Sequence, residues 1–173
     1  MKRTDFKQIS IRGRVAYCIK CLETYIKNKY QNRKLDQVID MACHIIDDSD
    51  FIDENAHKYM EIIPEYLFEF DNFERLDFDY MSNDDYKKYI SIIPKPQEDE
   101  DLNNLMHYIY DVAIEYCYVA LDKDASETMT YIMKTIEILK KNKLEVPSIE
   151  PFKKYKFEEY NGWGEYIKKE DFL

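Results

Sequence analysis

Three glycines in 173 residues leave no room for a phosphate-cradling glycine loop, and they argue against a β-sandwich built on tight turns. No apolar run approaches membrane-spanning length, and the first residues, MKRTDFKQ, lack the apolar centre of a signal peptide. These two absences predict a cytoplasmic chain with no membrane partner. Histidine is nearly as scarce, with His44, His57 and His107 the whole supply. Strings such as G-x-S-x-G, H-E-x-x-H, the P-loop and the dinucleotide fingerprint do not occur. The sequence therefore predicts no enzyme, no cofactor and no metal.

What is abundant is charge, unevenly spread. Residues 1–34 carry a net +8, residues 35–130 a net −19 and residues 131–173 a net +1, for −10 overall. A basic first segment suits nucleic acid, yet it can equally neutralise the acidic middle. The overall sign opposes phosphate binding, which rests on clustered Lys and Arg. A basic protein partner fits better, since opposite charge speeds encounter and excludes wrong partners.

Apolar spacing of three and four residues predicts an all-α fold: a single-domain bundle of about six helices with an aromatic C-terminal strap. The helices fall at about 10–28, 35–47, 53–63, 83–93, 98–121 and 125–141. Lys7, Arg12, Arg14, Lys20 and Lys27 lie mostly off the apolar stripe of the first. The fifth is the most apolar, with Val119 and Ala120 expected inward, and it predicts the centre of the fold. The third and fourth end alike, Lys58-Tyr59-Met60-Glu61-Ile62-Ile63-Pro64 echoing Lys88-Tyr89-Ile90-Ser91-Ile92-Ile93-Pro94. Two copies suggest similarly docked short helices rather than a solenoid. The tail from 142 to 173 is too aromatic to be loose, and strand pairing around Tyr155-Lys156-Phe157 stays open. Trp163, between Gly162 and Gly164, is expected to anchor it, an interface role being the alternative.

Cys18, Cys21, Cys43 and Cys117 read as reduced thiols, some of them core fillers. Cys18-Ile19-Lys20-Cys21 is a C-x-x-C string, but it lies within a helix with no strand before it, unlike a thioredoxin-type site. Zinc sites show two close cysteine pairs, and Cys43 and Cys117 stand apart. Asp53, His57 and Glu61 share one helical face, as do His107 and Asp111. Either set reads as a solvated charged stripe, with acid–base or metal chemistry as the rival reading.

One stretch departs from ordinary helical composition. Between Pro64 and Tyr86, eight carboxylates (Glu65, Glu69, Asp71, Glu74, Asp77, Asp79, Asp84 and Asp85) face the single cation Arg75. Among them stand Tyr66, Phe68, Phe70, Phe73, Phe78, Tyr80 and Tyr86. A disordered acidic tail would lack the aromatics, and a core helix would not carry so many ionised groups. Two readings fit: an ordered connector with aromatics inward and acids in water, or a partner-binding surface. In the second, the carboxylates steer and Phe70, Phe73 or Tyr80 anchors.

The N-terminal amphipathic segment Gly13-Arg14-Val15-Ala16-Tyr17-Cys18-Ile19 and the closing Asn161-Gly162-Trp163-Gly164…Asp171-Phe172 complete an acidic, all-helical chain. Such a chain resembles the immunity proteins of bacterial polymorphic toxin systems, especially all-α members such as immunity protein family six. The resemblance implies a non-catalytic inhibitor that binds and blocks the C-terminal domain of a cognate toxin. It supplies no site residues of its own. An acidic adaptor of another pathway, or an enzyme built on the Asp53/His57/Glu61 face, are the alternatives.

Overall fold

A computed structural model describes residues 1–31, 34–47, 52–121 and 124–173. Seven α-helices occur among them: α1 (Ile11–Lys29), α2 (Asp36–Asp47), α3 (Ile52–Met60), the single turn α4 (Pro64–Leu67), α5 (Asn83–Ile92), α6 (Glu100–Ile114) and α7 (Ser126–Lys141). The described residues hold no strand; Ile9 and Lys156 make one isolated antiparallel bridge. The fold is a single all-α bundle, as the periodicity predicts, with α4 and several 3-10 turns added.

Local chemistry sets the helix ends. Ser10 Oγ accepts the Gly13 N–H at 3.2 Å to start α1, and Ser82 Oγ accepts the Asp85 N–H at 3.1 Å to start α5. Asp99 Oδ1 accepts the Leu102 N–H at 3.0 Å at the head of α6. Pro64 sits in the first turn of α4, where its missing N–H costs nothing. Lys143, in the left-handed region at φ 57°, closes α7, and Leu144 N donates back to Leu139 O at 2.9 Å.

The helix predicted at 98–121 to be the centre, observed as α6, packs against α1, α3 and α7, and α1 shares that central place with it. Every residue of α1 from Ile11 to Ile19 is buried, and α2, α6 and α7 pack around it. Two of its basic residues are drawn inward, against the expectation that Arg12 and Arg14 lie off the packed face, while Lys27 and Lys29 stay exposed. Arg14, fully buried, donates from Nη1 to Ala125 O (2.9 Å) and Thr128 Oγ1 (2.7 Å), and from Nη2 to Phe6 O (3.1 Å). Arg12 Nη1 donates to Gly164 O at 2.8 Å. Two cations become fasteners because backbone carbonyls from distant segments converge on them, which hydrophobic spacing does not register.

Four lysines of the basic segment are paired within the molecule. Lys20 and Lys27 pair with Glu23, Lys29 with Asp99 and Lys7 with Asp124. The chain thus consumes much of its own positive charge.

The helix expected to run to Leu121 stops at Ile114. Cys117 N turns back to Ile114 O, Tyr116 drops into a small cluster with Ile11 and Ala125, and Val119 and Ala120 face water. The chain must reverse here to lay α7 along α6, and an apolar run reads the same whether it continues a helix or turns. The echoed helices also dock differently. Whereas α3 packs between α2 and α6, α5 lies at the margin and buries only Tyr86 and Tyr89.

Residues 142–173 form the strap. Phe152 and Ile167 are buried, Tyr155 O accepts from Ser10 N (2.9 Å), Trp163 O from Arg12 N (3.1 Å) and Ile46 O from Ile167 N (2.9 Å). Trp163 is half-buried between the main core and the small cluster. Gly164, at φ +78°, lies so close to Ser10 that a Cβ there would meet Ser10 Oγ at 2.3 Å.

Candidate functional site

The acidic stretch is ordered as α4, a 3-10 turn at Phe73–Arg75 and an extended run into the Ser82 cap. Asn72 Oδ1 accepts the Glu74 N–H at 3.2 Å to hold the turn. Glu65, Glu69, Asp71, Glu74, Asp77, Asp79, Asp84 and Asp85 are all exposed. Glu65 also meets His107 Nε2 at 2.8 Å, tying α4 to α6.

The aromatics of the stretch mostly point the other way. Tyr86 is buried, and Tyr66, Phe68, Phe70, Phe73 and Phe78 are half-buried. Phe73 stacks obliquely on Tyr86 (5.5 Å between centroids) and edge-on to Phe78 (6.4 Å). Phe70 lies under the Arg75 guanidinium at 4.6 Å. Of the three anchors expected from sequence, only Tyr80 stands well exposed, at 47%. The stretch thus combines internal packing with an outward acidic rim.

Where this stretch passes α3 it forms one wall of a cleft of about 420 Å³. Asp53, Glu54, His57 and Met60 of α3 line one side, Asp77, Asp79 and Tyr80 the other, with Glu61 beneath and Tyr118 at the end. Tyr118 OH donates to Asp53 Oδ2 at 3.3 Å and is 71% exposed. No Lys or Arg lines the cleft. Lys58 flanks it, bonded to Glu54 Oε1 at 2.6 Å and lying 5.4 Å from the centre of the Tyr80 ring. Neither Asp77 nor Asp79 takes part in an ion pair among the described residues.

Asp53, His57 and Glu61 do converge, but not as a solvated stripe. Glu61 is only 3% exposed, and its Oε1 accepts the backbone N–H groups of Asp79 (2.8 Å) and Tyr80 (3.0 Å). Burial raises its carboxyl above the usual range, with the Tyr80 and Asp79 N–H groups pulling the other way. His57 Nδ1 lies 2.7 Å from Asp53 O, and the ring stands edge-on to Tyr110. His107 and Asp111 remain neighbours whose charges interact, although the histidine's bond goes to Glu65.

A second cleft, of about 460 Å³, is lined at the head of α3 by Ile52, next in sequence to Asp53 of the first. Arg12, Trp163 and Gly164 floor it, and Tyr160, Glu165 and Tyr166 stand around it. Tyr160 (65%) and Tyr166 (50%) are again strongly exposed. The turn residues Tyr118 and Val119 were not legible as surface groups because they sit in an apolar run that reads as core, and the strap tyrosines because so aromatic a tail reads as packed.

Among the described residues no group of three or more His, Cys, Asp or Glu is arranged to hold a metal ion. Burial pushes the Cys18 and Cys43 thiols up to about 12 and Cys117 to about 11, so these sulfurs stay protonated at neutral pH. No helix among the described residues is long and apolar enough to cross a membrane.

With this geometry the fold and the site define an all-α bundle carrying an acidic, tyrosine-rimmed cleft. Comparisons with protein-family models, with curated proteins and with solved structures return no match to this chain.

Proposed function

We propose that this protein is a non-catalytic inhibitor that binds a basic protein, in the manner of the immunity proteins that neutralise a cognate bacterial toxin domain in the cytoplasm. The observation that supports this reading most directly is the cleft itself. Its lining carries Asp53, Glu54, Glu61, Asp77 and Asp79 beside His57 with no lysine or arginine, and exposed tyrosines flank it. Acidic rims govern encounter and register, while aromatic groups supply affinity once water is expelled. A purely structural face of like charges would be self-repelling with nothing gained.

Two measurements test it. Co-expression with the C-terminal domain encoded by the neighbouring gene is expected to restore growth that the domain alone suppresses. With the purified pair, Asp77→Lys combined with Asp79→Lys is expected to slow association while leaving thermal stability within about 0.5 kcal/mol. Absence of rescue by the wild-type chain removes the toxin-neutralising reading. Rescue together with unchanged association in the charge-reversed chain moves the contact off this surface.

A further inference from the structure

We infer that the acidic cleft is a receptacle for a single cationic side chain, lysine or arginine, projecting from the protein partner. The inference deepens the binding reading above and rests on it for the identity of the partner as a protein.

The first ground is chemical. Glu61, 97% removed from solvent by its 3% exposure, underlies the cleft. Its Oε1 is occupied by two backbone N–H groups, but its buried Oε2 has no hydrogen-bond partner. A carboxylate oxygen withdrawn from water without a donor is costly, and a nearby cation offsets that cost. Burial lifts the Glu61 carboxyl above its ordinary range, its cost to the charged form outweighing the pull of the Tyr80, Asp79 and Met81 N–H groups.

The second ground is steric. Tyr80 and Tyr118 stand at the cleft with their rings largely in solvent. Two such rings suit the aliphatic stem and charged head of one long side chain, because a cation over a ring face is attracted more strongly as the pair desolvates. Lys58 already takes this posture toward Tyr80 from outside the cleft. Asp53, Asp77 and Asp79 then meet the charged head.

The third ground is the apolar surface around it. Tyr80, Tyr118, Val119, Tyr160 and Tyr166 are five of the six exposed large hydrophobic residues among the described residues, and four of them line the two clefts while Val119 neighbours Tyr118. A charged receptacle beside exposed aromatic groups is the pattern of a polar anchor within a protein–protein contact.

The test uses the full chain, isotopically labelled, titrated with four probes. These are an acetylated nonapeptide with three lysines among alanines, its arginine and glutamate counterparts, and free spermidine. The lysine or arginine peptide is expected to shift the amides of residues 53–57, 77–81 and 117–119, while the glutamate peptide shifts none. Asp53→Asn with Asp77→Asn, and separately the surface change Tyr118→Ala, are each expected to weaken peptide binding by about tenfold. Glu69→Gln with Asp71→Gln, on the same stretch but outside the cleft, is expected to leave it within twofold. Shifts confined to residues 65–74 or 98–101, no shift at about 1 mM peptide, or spermidine binding as tightly as the peptides overturns the receptacle. A peptide that binds in the cleft without toxin rescue refutes the immunity reading and leaves the receptacle. Rescue that survives loss of the cleft carboxylates does the reverse.

Discussion

Glu61 Oε1 accepts the backbone N–H of Asp79 at 2.8 Å across 18 residues of chain, and that bond sets the shape of the cleft. The carboxylate ends α3 on one side and holds the loop that presents Asp77, Asp79 and Tyr80 on the other. Glu61→Ala is expected to strand two partly buried N–H groups and lower stability by about 1–3 kcal/mol, read from a urea titration. The loop amides of residues 77–81 are expected to exchange faster in the same variant. Unchanged exchange would assign the loop's order to other contacts.

Glu61 and Asp99 are expected to pull the pH dependence of stability in opposite directions. Burial alone would raise the Asp99 carboxyl, but the Tyr30 hydroxyl, the Leu102 N–H, the Tyr25 hydroxyl and Lys29 together hold it below 3.8. A carboxyl lower in the fold than in the unfolded chain stabilises fully above 3.8 and ceases to do so as pH falls through its folded value. Glu61, raised above 4.5, favours the fold below that value, and its contribution is lost as pH rises through its folded value. The stability gap between wild type and Asp99→Asn is therefore expected to shrink on acidification. Relative to Glu61→Gln, wild type is expected to lose ground as pH rises. Thermal melts of the three proteins across that range check both signs.

Arg14 is expected to be the most sensitive polar residue in the bundle. Its fork satisfies the carbonyls of Phe6, Lys7 and Ala125 and the Thr128 hydroxyl at once, and its guanidinium lies 5.1 Å from the centre of the Phe157 ring. A lysine keeps the charge but not the planar fork. Arg14→Lys is expected to cost on the order of 3–5 kcal/mol, as for a buried charge stripped of its partners. A loss under about 1 kcal/mol would mean that the ammonium finds an equivalent set of acceptors.

Gly164→Ala tests the strap. The left-handed backbone at φ +78° and a Cβ placed 2.3 Å from Ser10 Oγ both oppose any side chain, and Ser10 caps α1. The expected loss is about 1–3 kcal/mol or more, accompanied by faster amide exchange at residues 10–14. A neutral result would show that the strap can lift from α1 without disturbing the cap.

Phe73→Ala separates the two readings of the acidic stretch. Because the ring packs against Phe78, Tyr86 and the core margin, the substitution is expected to lower the melting temperature. The loss should stay below the roughly 3–5 kcal/mol typical of a fully buried phenylalanine, since this one is half-buried. Tyr80→Ala is expected to leave the melt unchanged. The opposite pair of outcomes would exchange the roles of the two rings.

The sequence by itself determined what depends on neighbours along the chain. The three- and four-residue apolar spacing sufficed for an all-α bundle, because it acts within a turn or two of helix. The split between a basic head and an acidic middle was equally plain, charge being additive over residues. Tertiary structure decided which of those charges face water. Arg12 and Arg14 turn inward because carbonyls from the strap, the first turn and the head of α7 meet them, and Tyr118 and Val119 turn outward because α6 ends early. The cleft belongs to that second category. Its walls come from α3, the loop at 77–80 and the turn at 118, and only tertiary packing brings carboxylates this far apart in sequence to line one cleft.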